Sequence, residues 1–366
     1  MFAENEKISL RQLQALLLLD CFGTAVLFLP MELARTEGQA CWLTAILCGA
    51  TFALLSLLLT SAGMRQPQGT VVEWCRGAFG NVLGGLILLG LALTLLFDGA
   101  MELRLLGEII CRAMLPATPV WVILLVILAV AWALAAQGIE CRGRTAELLF
   151  FFVAVPMVLV LAAVAISAEY RHILPLAAPS LAGYRSGLPA YGIVFQGLLF
   201  LYFVFPYLKK PQRARRSVLC TTLISAVVLT ALVFLCLAAY GAGMLSRKLL
   251  PALQVMERVS FTGLFLTRQD VLLLWFWMAS VSVFLSGVFF FGSLLGTRAF
   301  RQKNTARKGW LGAIFVILFA AALFPENLSA AYALRLQILP WLHGIYLLLL
   351  PILLFLFAGR GGKRDA

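Results

Sequence analysis

The chain has 366 residues, of which 62% are hydrophobic and only 12% charged, and its formal net charge is +13. Soluble globular proteins carry about 25% charged residues, so this composition excludes one. The apolar residues fall in runs of about 20, the length that crosses a bilayer as a helix, and the positive excess reads as cytoplasmic loop charge rather than a nucleic-acid surface.

Ten spans are predicted, at roughly 12–33, 39–62, 83–110, 118–137, 146–168, 187–208, 217–240, 269–297, 309–324 and 338–358. Each is expected to be helical, because a lone strand leaves its backbone polar groups unsatisfied in lipid. The fold class is thus an all-α integral membrane protein forming one domain over 1–366. Residues 1–168 and 187–358 are expected as two five-helix repeats and 241–268 as an outer loop.

The first span opens with Ser9-Leu10-Arg11-Gln12, a capping-box pattern. Its apolar run has no A-x-A site after it and is read as a span, not a cleaved signal. In its middle stands FGTAVLFLP, with Gly23-Thr24 inside, Pro30 towards the end and Asp20 just before. Residues 64–80 are expected to form a short helix at the cytoplasmic surface. The third span carries Asp98, Glu102, Arg104 and Glu108. A charge at the centre of a membrane helix costs about 2.5–3.5 kcal/mol on insertion scales, so such residues face a cavity or a partner. Arg104 and Glu108 are four apart and can pair with each other. Asp98 and Glu102 share another face, open to a cavity, a protonatable role, a cationic ligand or a partner on another helix.

The sixth span has Gly192 and Gly197 in its first half and Pro206 near its end, matching the interrupted first span in a five-plus-five division. Paired Gly/Pro-interrupted segments point to a transporter-type binding site. A break frees N–H groups on one half-helix for a carboxylate and C=O groups on the other for a cation. A zwitterionic amino acid suits both. Gly at these places also permits close helix packing. Loop 241–270 has a helical pattern of its own around Leu253, Met256 and Glu257, as a lid or a solvated cap. The eighth span carries Ser280, Ser282 and Ser286, which pack against neighbours or line an ion path.

With both termini cytoplasmic, inside segments hold 19 Lys and Arg and outside segments 9, the expected bias. The eight cysteines form no C-x-x-C and read as packing residues. With two histidines and no phosphate loop, G-x-S-x-G or H-E-x-x-H, no metal, cofactor or catalytic residue is expected and the chain is not read as an enzyme. The candidate ligand site is Gly23, Thr24, Ala25, Phe195, Gln196 and Gly197 with Asp98 and Glu102; the candidate ion path is Asp20, Ser282 and Ser286.

ENEKISLRQLQALLLLDCFGTAVLFLP, followed by Gly38-Gln39-Ala40-Cys41-Trp42, resembles the start of the B subunit of bacterial spore germinant receptors. That family opens with K-I-S-x-x-Q, then G-T-x-x-L-x-x-P and G-x-D-A-W. PALQVMERVSF and TRQDVLLLWFW, the length and the span count extend the resemblance to essentially the whole chain. It implies kinship with amino acid–polyamine–organocation transporters, an inverted (LeuT-like) five-plus-five fold with helices one and six broken. It further implies a receptor in the inner spore membrane that senses nutrient germinants, often amino acids. It would act beside an A subunit and a lipoprotein C subunit, and binding would trigger ion and dipicolinate release. The chain departs from the pattern in two places. Leu198-Leu199 follow Gly197 where an acidic residue is common, and Ala40 stands in place of Asp. A different ligand, or a carboxylate supplied by Asp98 or Glu102, would account for the first departure. A permease coupled to protons or sodium and a purely structural assembly subunit are the other readings.

Overall fold

The computed structural model describes residues 6–23, 25–175, 177–258 and 269–357. Among them there is no strand beyond one isolated bridge between Ile8 and Leu208. In chain order the helices are α1 (Leu10–Cys21), α2 (Ala25–Glu37), α3 (Cys41–Arg65), α4 (Val71–Ala113), α5 (Val120–Ala136), α6 (Ile139–Ser167) and α7 (Leu181–Val194). There follow α8 (Leu201–Val204), α9 (Ala214–Leu245), α10 (Pro251–Arg258), α11 (Gln269–Ala299), α12 (Arg307–Leu323), α13 (Leu328–His343) and α14 (Leu350–Phe357).

These make ten spans. The first is α1 and α2 together, the sixth is α7 and α8, and the tenth is α13 and α14. Six continuous helical stretches among the described residues are long and apolar enough to cross a membrane by length and composition. The first span is interrupted, and α5 and α12 are shorter, at 17 residues each.

Local chemistry explains the ends. Ser9 caps α1, its hydroxyl accepting from the Gln12 N–H at 3.2 Å while the Gln12 side chain accepts from the Ser9 N–H at 2.8 Å. Residues 71–79 form the expected short helix, set off from the rest of α4 by Gly80 at φ +79°, a conformation open to glycine. Thr70 caps it with Glu73, which also pairs with Arg298 of α11 at 3.1 Å. Burial pushes the Glu73 carboxyl up, but these hydrogen bonds and Arg298 more than offset it and hold it below its ordinary value. This contact is therefore intact at neutral pH and is lost only as pH falls through the carboxylate range. α10 forms against α2 and α9 within the loop expected on the outer side, and residues 259–268 of that loop lie outside the described residues.

Packing repeats across the two halves. α1 lies on α6 as α7 lies on α13, while α3 on α9 and α4 on α11 join one half to the other. Glycines permit the close approaches. A Cβ on Gly49 would fall 2.7 Å from Ala226 Cβ across the α3–α9 contact. A Cβ on Gly63 would fall 2.1 Å from the Phe205 ring. Gly63→Val is therefore expected to cost about 1–3 kcal/mol through overpacking, read as a lowered melting temperature of the purified protein.

Candidate ligand site at two broken helices

α1 stops because Phe22 turns away from helical geometry, at φ −89° and ψ 46°. Its N–H still bonds back to the Leu18 and Leu19 carbonyls at 3.1 Å, and α2 starts afresh at Ala25. The Leu19 carbonyl near this buried helix end accepts the Ser280 hydroxyl of α11 at 3.1 Å. In the sixth span, residues Phe195–Phe200 tighten into a 3₁₀ segment between α7 and α8. Pro30 lies inside α2 without ending it.

Asp20 and Gly197 meet where the two broken segments cross: a Cβ on Gly197 would fall 2.6 Å from Asp20 Cβ. Asp20 is paired. Arg142 Nη2 on α6 donates to both its carboxylate oxygens at 2.9 and 2.8 Å, and both side chains are 1% exposed. Arg142 Nε donates to Ser286 Oγ at 3.1 Å, and the Ser286 hydroxyl donates to the Val283 carbonyl at 2.6 Å. One guanidinium thus joins the end of α1, the start of α6 and the middle of α11. Phe200 and Phe291 flank it, with ring centroids 5.1 and 5.5 Å away. Ser286→Ala is expected to cost about 1 kcal/mol, a single hydrogen bond, because Arg142 Nε also reaches the Val283 carbonyl at 3.3 Å. Thermal melting checks this. Ser282 does not join the cluster; its hydroxyl donates to Met278 on its own helix.

The second cluster lies at the break itself. The Glu102 carboxylate presses on Gly23, where an added Cβ would fall 2.4 Å from Oε1. Arg335 of α13 donates to Glu102 Oε2 at 2.5 Å and to Gln196 Oε1 at 3.0 Å, and the Gln196 amide donates to Glu102 at 3.4 Å. All three are buried. One turn along α4, Asp98 Oδ2 lies 2.8 Å from His343 Nε2, at the point where α13 gives way to a π-helical turn over Gly344–Leu349. Arg104 and Glu108 pair with each other at 2.7 Å.

The break therefore brings together Gly23, Gln196 and Glu102, and brings Gly197 to Asp20. Ala25 opens α2 beside a cleft of about 10 Å³ next to Arg335, walled by Phe28 and Tyr332, whose rings stack at 4.2 Å. Phe195 stacks on Phe52 at 5.1 Å. Thr24 lies outside the described residues. Among the described residues no group of three or more His, Cys, Asp or Glu is placed to hold a metal ion.

Arg142, Arg335 and His343 are central here, yet the pattern of the chain did not single them out. Arg142 reads as part of an inner loop and Arg335 as part of an outer one. The signal for Arg335 was Asn327, which caps α13 by accepting from the Ala330 N–H at 2.9 Å and starts the tenth span ten residues before 338. No comparable signal marks Arg142.

An all-helical membrane protein of ten spans, broken in the first and sixth, with buried charges at the breaks, has the architecture of a LeuT-fold transporter. MhsT, solved in complex with L-phenylalanine, superposes with a TM-score of 0.64 at 16% identity, covering 96% of this chain and 89% of that one. Mhp1, a nucleobase-cation-symport-1 family transporter solved closed with bromovinylhydantoin bound, gives 0.68 at 14% identity, covering 93% and 77%. A family profile described as "Spore germination protein" matches residues 7–331, and the chain belongs to this spore permease family. It is 22% identical to spore germination protein YndE of Bacillus subtilis (strain 168), over 91% of this chain and 92% of that protein. It is 23% identical to spore germination protein KB of the same strain, over 99% and 97%. With GerQB of Bacillus cereus it shares 22%, over 83% of each.

Proposed function

We propose that this chain is the membrane subunit of a spore nutrient-germinant receptor and binds a small zwitterion, an amino acid, where the two broken helices meet. The observation that carries this reading is the buried Glu102–Arg335 pair set against Gly23 and Gln196. It offers a carboxylate for a ligand ammonium and a guanidinium for a ligand carboxylate within one side chain's reach, beside a half-helix N-terminus that also favours anions. Glu102 supplies from the third span the acidic group that the sixth span lacks. The amino acid in the MhsT structure supports the same ligand class.

The cleft beside Arg335 has room for about one water. Binding thus requires Phe28 and Tyr332 to part and the Glu102–Arg335 contact to open around the ligand. That displacement is the step a partner subunit would sense. The partners in this reading are an A subunit and a lipoprotein C subunit in the inner spore membrane, with both termini cytoplasmic. The chain binds and signals and performs no enzymatic step.

The test is deletion of the gene in its host, with dipicolinate release followed from purified spores across amino acids, sugars and nucleosides. Loss of the response to amino acids supports the proposal. Loss confined to sugars or nucleosides rejects the ligand class. A second reading, a permease that carries the same ligand across, is favoured by the transporter fold; uptake of labelled amino acid into liposomes holding the purified protein would decide for it.

A further inference from the structure

Outside the broken-helix site, a groove of about 540 Å³ runs between α4, α11 and α12. Its walls include Leu89, Ala92 and Leu96 of α4, Gly292 of α11 and Trp310 of α12, and Arg76 is the one charged residue that lines it. Leu89 is 58% exposed, so the groove opens sideways on the outer face of the bundle. Its two ends differ. At one end Arg76 donates to the Ala299 carbonyl at 2.5 Å, while its buried Nε–H has no partner among the described residues. The Trp310 indole N–H donates to Gln302 at 2.9 Å at the same end. The segment 298–308 that borders this end holds five Lys and Arg and no acidic residue. Of these, Arg298 is taken by Glu73, whereas Arg301, Lys303 and Lys308 stand exposed. The other end, at Leu96 and Val288, is wholly apolar.

We infer that this groove is a binding site for an anionic phospholipid, with one acyl chain along α4 and the headgroup phosphate at Arg76. Three features select this occupant. The groove is one leaflet deep: on α11 it runs from Val288 to Ala299, about 16 Å at the helical rise, against a hydrocarbon core of about 30 Å. A partner's spanning helix would need a groove through both leaflets. Polarity is confined to the end where Trp310 marks the interface level, since tryptophan concentrates at headgroup depth. That end is the one the charge count assigns to the cytoplasm, and basic pockets between membrane helices on that side suit anionic headgroups. The glycines shape the floor. A Cβ on Gly296 would fall 2.6 Å from the Trp310 ring, and one on Gly292 would fall 3.1 Å from the Ile314 side chain, so the two glycines let α12 pack close on α11.

The test uses the full-length protein in nanodiscs of phosphatidylcholine doped with brominated phosphatidylglycerol or, separately, brominated phosphatidylcholine. Bromine quenches nearby tryptophan, and a Trp310→Phe variant isolates the Trp310 contribution. The expected result is that phosphatidylglycerol quenches at roughly fivefold lower mole fraction than phosphatidylcholine, the preference one cation near the headgroup supplies. Arg76→Gln is expected to remove that preference and Arg76→Lys to keep most of it, with unchanged melting temperatures showing that both variants fold. Equal quenching by the two lipids would overturn the proposal in favour of bulk lipid. Quenching by neither would overturn it in favour of a protein covering the groove, whether a partner or a second copy. Release of the lipid preference by inorganic phosphate would show a site for a free anion instead. An undiminished preference in Arg76→Gln would remove the headgroup from Arg76.

Discussion

Arg142→Ala is expected to cost about 3–5 kcal/mol, the penalty for leaving one partner of a buried ion pair uncompensated. Most of the stability of a typical domain is of that size, so the variant should be scarcely detectable by immunoblot of membranes. The cause is specific. Asp20 is 1% exposed and receives two hydrogen bonds from a single Nη2 group. Without Arg142 its charge has neither water nor counter-ion, at the point where α1, α6 and α11 converge. The same loss leaves Ser286 Oγ without its donor. If the uncompensated charge of the orphaned carboxylate is the cause, neutralising it should help: Asp20→Asn combined with Arg142→Met is expected to recover most of the protein level. A double variant no better than Arg142→Ala would place the cost in lost packing on Phe200 and Phe291.

Gly23→Leu is expected to abolish the nutrient response while the protein still inserts in the membrane. Its Cβ would fall 2.4 Å from Glu102 Oε1 and 3.0 Å from the carboxyl carbon. Either Glu102 leaves Arg335 and Gln196, or the break shifts; both dismantle the proposed site. The cost to folding is about 1–3 kcal/mol, smaller than for Arg142→Ala, because the displaced atoms end a flexible side chain. Dipicolinate release at matched protein level is the measurement. A normal response would rule out the site as placed and would be the outcome expected of a purely structural assembly subunit.

Where the chain breaks was legible, but for mixed reasons. Gly23 and Gly197 both sit where the backbone must come close to another side chain, Glu102 in one case and Asp20 in the other. The prolines that drew attention to the same spans do less: Pro30 rides within α2, and Pro206 lies in the short 3₁₀ turn after α8. The acidic residues of the third span stood out because carboxylates in a membrane run are costly. Their partners did not. Arg335 lies 233 positions from Glu102 and Arg142 lies 122 from Asp20, and each stands at the edge of an apolar run, where hydropathy assigns a basic residue to water. Pairings of that range exist only once the helices have packed. For the same reason the chain's ends of helices were readable at Ser9, from local capping, while the start of the tenth span was set too late.

The two arginines occupy matching places. Arg142 reaches from the fifth span to the broken first, and Arg335 from the tenth to the broken sixth. A guanidinium keeps its charge at any pH a cell survives, and as part of the chain it is neither diluted, exchanged nor exhausted. At both breaks the countercharge to the buried carboxylate is therefore built into the chain itself. Under the proposed receptor function, a site wired in this way is as ready after long storage in a resting cell as on the day it was made.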